Sequence, residues 1–174
     1  NPAIFDTKKL LWMNGQYIRS FKKETFHELA FKTIEESLSR SLFAEEIKRI
    51  ELILPEVQER IETLNDLIGQ IGFLLDEPFV VNDVEWNDVN SENSQVYLMN
   101  IRNRFKEMED FNLKNIEEMM RAELKKQNIK PKEGFQATRV AITGTKISPP
   151  LFESIFALGL SPTIARLAEK IENL

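Results

Sequence analysis

Apolar residues recur three and four apart along much of this 174-residue chain, the spacing that places them on one face of a helix. The longest such stripe is Ile47, Ile50, Leu54, Val57, Ile61, Leu64, Ile68, Ile71 and Leu75. Pro55 interrupts it. Proline has no amide donor and its ring clashes with the preceding turn, so the pattern predicts two helices, 44–54 and 56–75, with a kink or break between them. Upstream, Asp6 is a good N-cap for a helix starting at Thr7 and carrying Leu10, Leu11 and Trp12. Asn14-Gly15 reads as its stop and turn, followed by a short piece with Tyr17, Ile18 and Arg19. A second helix near Glu24–Ser37 places Phe26, Ala30, Ile34 and Leu38 on one face.

The periodicity vanishes from Asp76 to Asn93, where Pro78, several acidic residues, Asn and Ser mark a connection that Phe79, Val80, Val81, Val84 and Trp86 can anchor to a core. A boundary here divides the chain into 1–75 and 76–174. Helix resumes over about 95–110, with Leu98, Ile101, Phe105 and Met108, and again over 113–127, with Leu113, Ile116, Met120 and Leu124. Asn128–Lys132 is a basic connector. Three short helices complete the chain. The first spans 134–143. Ser148-Pro149 reads as N-cap and favoured first proline of the second, which Gly159 closes, and Ser161-Pro162 repeats the device for the third. No segment alternates as a strand should, and the reading is all-α in two helical subdomains.

Composition narrows the chemistry. Hydrophobic residues make up 42% and charged residues 29%, the mix of an ordinary globular chain. The absence of cysteine removes disulfides, zinc–thiolate sites and Cys nucleophiles. No apolar run approaches the roughly 20 residues that cross a bilayer, and there is no signal-peptide pattern, which fits cytoplasmic residence. The chain opens on Asn1, not Met, and reads as a piece of something longer.

Net charge is −5, which argues mildly against a nucleic-acid partner. The charge is uneven, however. From Asp76 to Glu92 every charged residue is acidic, whereas from Lys125 to Ser148 they are Lys125, Lys126, Lys130, Lys132, Arg139 and Lys146, opposed only by Glu133. Phosphate affinity follows local fields within a Debye length of roughly 8–10 Å more than it follows the sum.

Enzyme signatures are missing. His27 is the only histidine, so two-histidine metal motifs are impossible, and no nucleophile motif supports a triad around it. Gly144-Thr145-Lys146 resembles the end of a phosphate loop but lacks the upstream glycine spacing. Adjacent carboxylates such as Glu45-Glu46 and Glu117-Glu118 point apart on a helix. Three arginines are more informative. Arg60 follows Glu56 by four and Arg121 follows Glu117 by four, so each fits either an ordinary helix ion pair or a ligand contact. Arg139 has Phe135 at that spacing and no acid. Ser148-Pro149-Pro150-Leu151 likewise reads as a helix cap or as a surface where free amides meet acceptors and Leu151 offers an apolar platform to a splayed base.

Whole motifs resemble those of a known family. Phe5-Asp6-Thr7-Lys8-Lys9-Leu10-Leu11-Trp12-Met13-Asn14-Gly15-Gln16-Tyr17-Ile18-Arg19 resembles the segment that follows the catalytic half of bacterial-type glutamyl-tRNA synthetases, which are class I glutamate–tRNA ligases. Glu59-Arg60-Ile61-Glu62-Thr63-Leu64 resembles a helix of that family carrying arginine before Thr-Leu, and Arg139-Val140-Ala141-Ile142-Thr143-Gly144 with Ser148-Pro149-Pro150-Leu151-Phe152-Glu153 resembles its terminal block. The similarity covers nearly the whole chain in order. It implies an all-helical, cage-like anticodon-binding region, with 1–75 a helical linker on the stem-contact side plus a first subdomain and 76–174 a second.

It further implies that Arg60, Arg121 and Arg139 approach the anticodon loop of tRNA-Glu, that Ser148, Pro149 and Leu151 form a surface for its bases, and that Arg60 bears on the third anticodon base. HIGH-like and KMSKS-like motifs are not present, so no catalytic, cofactor or metal residue is assigned. ATP and Mg belong to the family's catalytic half. The expected state is a monomer. The other reading is a helical protein-interaction module, which would show no salt-dependent RNA binding.

Overall fold

The computed structural model describes residues 6–171, and among these every regular element is helical. The chain divides into two compact units, Asn1–Leu75 and Asp76–Leu174.

The first unit contains α1 (Thr7–Ser20), α2 (Lys23–Leu38), α3 (Ala44–Gln58) and the short α4 (Leu67–Ile71), with 3₁₀ turns at Leu64–Asp66 and Gly72–Leu74. Asp6 caps α1, its carboxylate accepting from Lys9 N–H at 3.1 Å. The helix does not stop at Asn14-Gly15. Tertiary contacts override the turn preference: the Asn14 amide donates to Glu62 O, Gly15 is buried, and Arg19 folds close over it to donate to Glu59 O at 3.3 Å. α1 leaves Leu10, Trp12, Met13 and Tyr17 exposed.

Pro55 does not end α3 either. The amide it lacks would have bonded to the carbonyl of Glu51, an exposed residue, and the fully buried Ile53, Leu54 and Val57 around it each contribute about 1.5–3 kcal/mol. That offsets the roughly 3 kcal/mol a helix-interior proline costs. The break falls later, where Asp66 takes the amides of Glu62 and Thr63 at 3.1 and 2.8 Å. The expected 56–75 helix is therefore a turn, two 3₁₀ pieces and α4, although Ile61, Ile71 and Leu75 of its stripe are buried as the periodicity requires. The α2–α3 corner is closed by Arg40, which grips buried Glu46 with two nitrogens at 2.8 and 2.9 Å while Glu46 also accepts from Phe43 N–H.

The second unit opens with the 76–93 segment. It is not a plain connection, because Asn82 caps a short helix, α5 (Asp83–Val89), that buries Trp86 and Val89 and packs on α8. There follow α6 (Glu92–Lys106), α7 (Leu113–Gln127), α8 (Pro131–Thr143), α9 (Leu151–Leu158) and α10 (Leu160–Lys170). Pro131 starts α8 instead of lying in a connector, the first-turn position where its missing N–H does no harm. Ser161 sits inside α10, capped instead by Gly159 at φ 95°.

The core joins Tyr97, Leu98, Ile101 and Phe105 of α6 to Met120 and Leu124 of α7, Val140 of α8 and Leu167 of α10. α8 lies unusually close to its neighbours. A Cβ at Gly134 would stand 2.5 Å from Leu124 Cδ2 and 2.9 Å from the Tyr97 ring. That ring is fixed because its O–H donates to Met120 O at 3.1 Å. Burial pushes the Tyr97 phenol well above its ordinary range, with the Glu123 charge adding to the effect and Arg121 opposing it. It stays a donor at any ordinary pH.

Gly134→Ala is expected to force this contact apart at about 1–3 kcal/mol, less up to ~1 kcal/mol gained in helix propensity. Thermal unfolding followed by circular dichroism measures the net loss, and an unchanged or raised midpoint would show that the contact has slack.

Candidate nucleic-acid interface

On α7, Arg121 and Lys125 are four apart. On α8, Lys132, Phe135 and Arg139 are three and four apart, so each set shares a helix face. The two faces meet. Arg121 lies 5.5 Å from the ring centroid of Phe135 and 5.5 Å from that of Phe152 on α9, and the two half-buried rings meet edge to face at 5.4 Å. Arg121 Nε also donates to Glu117 at 2.7 Å, so the ordinary helix pair is formed. The Arg121 side chain nonetheless stays half exposed, 55%, with its guanidinium above two aromatic rings.

Arg139 is held differently. One guanidinium nitrogen donates to Ser148 Oγ at 2.6 Å and Pro149 O at 2.6 Å, with a longer contact to Ser148 O at 3.4 Å. These bonds tie the loop 144–150 back onto α8. The loop leaves α8 through Gly144 at φ 84°, a left-handed conformation that glycine adopts without strain.

The sequence reading of the loop needs two corrections. α9 begins at Leu151, not at Pro149, and its cap residue is not Ser148 but Pro150, which makes no side-chain capping bond. Ser148 turns to Arg139 and to Pro149 O instead. Leu151 is 5% exposed and Pro149 is buried, so neither is an open platform. The exposed apolar residue is Ile147, at 77%, between Lys146 and Ser148. Sequence reasoning missed it, and missed Phe135 and Phe152 as a pair. The available signals were a lone aliphatic residue in a polar loop and an aromatic four residues before an arginine.

The structure brings Arg121, Arg139, Ser148 and Pro149 into one unit, together with the buried Leu151. Arg60 belongs to the first unit. It lies two residues past the end of α3, exposed, and no ion pair to Glu56 forms among the described residues, because the helix that would align them has ended.

The basic stretch is less basic than its sequence. Lys126 pairs with Glu123 at 3.6 Å and Lys146 with Asp88 at 2.7 Å. Lys125, Lys130 and Lys132 are exposed without an ion-pair partner among the described residues. Cations beside aromatic rings and an apolar loop tip suit a polyanion with unstacked bases. Among the described residues no group of three or more His, Asp or Glu is placed to hold a metal ion, and none of the helices alone is long and apolar enough to cross a membrane.

A family model described as an anticodon binding domain matches residues 19–171, and the chain belongs to that family. Glutamate–tRNA ligases of Symbiobacterium thermophilum and Cutibacterium acnes are 31% and 32% identical to it, over 95% and 94% of the chain. The crystal structure of a glutamate tRNA ligase from Elizabethkingia meningosepticum, in complex with its amino acid, shares the fold with a TM-score of 0.77 at 20% identity over 98% of the chain. The chain spans 35% of the length of each of the two relatives and 33% of that structure.

The Arg121–Glu117 pair is exposed, and such pairs contribute only a few tenths of a kcal/mol. Arg121→Ala is therefore expected to lower stability by about 1 kcal/mol or less, ring contacts included. Urea unfolding tests this, and a loss above about 2 kcal/mol would mark Arg121 as a structural residue.

Proposed function

We propose that this chain is the anticodon-loop-binding region of a glutamate–tRNA ligase, with tRNA-Glu as its partner. The observation that carries the reading is the strip in which Arg121 overlies Phe135 and Phe152 while Arg139 fixes the loop bearing Ile147, in a chain of the anticodon-binding family. Residues 1–75 supply a linker on the stem-contact side and a first subdomain holding Arg60, which bears on the third anticodon base, and 76–174 supply the second. Glutamate activation, with its ATP and Mg, belongs to the remainder of the parent enzyme. The parent works in the cytoplasm, and the chain acts as a monomer.

The division of labour follows from the side chains. Lys125, Lys130 and Lys132 meet phosphates and give affinity without sequence preference. The ring edges, the Arg121 and Arg139 guanidinium groups and Ser148 meet bases unstacked from the loop, where hydrogen-bond edges are readable. Ile147 takes the apolar contact that the family resemblance assigns to the Leu151 position.

Filter binding with tRNA-Glu and an anticodon-swapped tRNA tests the reading. Arg139→Ala is expected to weaken the cognate complex by about 1–3 kcal/mol and to erase most of the preference. Lys130→Ala is expected to weaken both complexes alike and to reduce the salt slope by about one. Equal binding of both tRNAs by the wild type, unaltered by Arg139→Ala, would sink the assignment.

Ile147→Ser separates the loop tip from the fold. It is expected to weaken cognate binding by about 1 kcal/mol, the scale of an aliphatic side chain partly buried against a base, with the unfolding midpoint unchanged because the side chain is exposed.

A further inference from the structure

The acidic segment 79–93 matches no motif of the synthetase resemblance, and its charge opposes an RNA partner. Its contacts converge on the loop 144–150. Asn82 N–H donates to Gly144 O at 2.9 Å. A Cβ on Gly144 would stand 2.5 Å from Val80 O, so the two backbones are in direct contact there. Glu85 accepts from the backbone N–H of Lys146, and Asp88 takes the Lys146 ammonium at 2.7 Å. Asn82 also caps α5 by accepting from Glu85 N–H at 3.0 Å, which fixes the turn that presents Glu85. At the other end the same loop is held by Arg139 through Ser148 and Pro149. Ile147 projects between the two anchors.

We propose that Glu85 is a positioning residue for anticodon-loop recognition: it holds the Lys146 backbone so that Ile147 and Ser148 meet RNA in a fixed geometry. The inference rests on the function proposed above. A loop fixed before binding loses less freedom on binding, so a brace raises affinity without touching the ligand. The carboxylate group serves through its reach, since Glu85, Asp88 and Lys146 together leave one negative charge beside the RNA surface. Plain electrostatics predicts that removing this charge tightens binding. Bracing predicts that keeping the charge while shortening the arm weakens it.

Two variants of the 174-residue chain separate these effects. Glu85→Gln removes the charge but keeps an oxygen in reach of Lys146 N–H. Glu85→Asp keeps the charge and withdraws the oxygen by one methylene. The probes are hairpin RNAs carrying the tRNA-Glu anticodon loop or a swapped one, measured at two salt concentrations, with circular dichroism confirming the fold. Glu85→Gln is expected to bind the cognate hairpin within about threefold of wild type, and Glu85→Asp about tenfold more weakly, the scale of one lost charge-assisted hydrogen bond. The swapped hairpin and the salt slope are expected to stay unchanged.

The proposal is overturned if Glu85→Asp binds like wild type, or if Glu85→Gln changes affinity as much as Glu85→Asp does. If the wild type does not distinguish the hairpins, the anticodon-loop reading fails and the brace fails with it. If the wild type distinguishes them, Arg139→Ala abolishes the difference and Glu85→Asp leaves it intact, then the brace alone fails.

Discussion

A guanidinium turned back on its own chain organises the second unit's surface. Arg139 donates to Ser148 Oγ and Pro149 O, and so closes the loop 144–150 against the helix it came from. An unpaired arginine at this place would leave the loop free at one end and α9 without a fixed start. With the bonds made, Leu151 enters the core and Phe152, one residue on, meets Phe135, which stands four residues before Arg139 on α8. The position of α8 in turn depends on Gly134 lying against the Tyr97 ring. A core contact without polarity thus sets where the surface charge of Arg139 and the paired rings stand.

Apolar spacing shows which side of a segment is buried and says less about where the segment ends. The 113–127 helix was legible to the residue because its stripe is bounded by Asn112, which caps it, and by Asn128, which takes the left-handed conformation. Asn14-Gly15 and Pro55 carry equally strong local signals, yet helix runs through both. In each case long-range contacts outweigh a local preference of a few kcal/mol at most: Asn14 to Glu62 O, Arg19 to Glu59 O, and buried Ile53, Leu54 and Val57 around the proline. The 62–66 break had the opposite character. Asp66 competes for backbone amides from inside a stripe that looks continuous, and hydrophobic periodicity does not register such competition.

The candidate site was legible by residue identity and illegible by exposure. The spacing of Arg121 from Glu117 allowed an ion pair, and the pair exists, but it leaves the guanidinium over two rings. The missing acid before Arg139 marked it as unusual, and its partners proved to be loop oxygens nine and ten residues away. Leu151 is buried and Ile147 exposed, the reverse of what the motif suggests, because two consecutive prolines delay α9 until Leu151 already points inward. The 79–93 segment was opaque for a related reason. Its bonds are to residues about 60 positions away, as with Glu85 and Lys146, and no local pattern encodes a partner at that distance.

The same pairing reconciles an acidic chain with the polyanionic partner proposed for it. Counterion release scales with the number of phosphates neutralised, and acidic neighbours pair with Lys126, Lys146 and Arg121. In the basic stretch of the second unit that leaves chiefly Lys125, Lys130 and Lys132 for phosphates. Under the proposed function non-specific attraction is therefore small, and most of the binding free energy has to come from contacts that only the right loop can make, to rings, guanidinium groups and the loop tip. Under the proposed function a general cation adds equally to the right and the wrong complex, so discrimination rests on the loop contacts, and weak general affinity keeps the wrong complexes from accumulating. A net charge of −5, read from composition as a mark against RNA, is therefore compatible with the proposed partner and holds general attraction to other RNAs low.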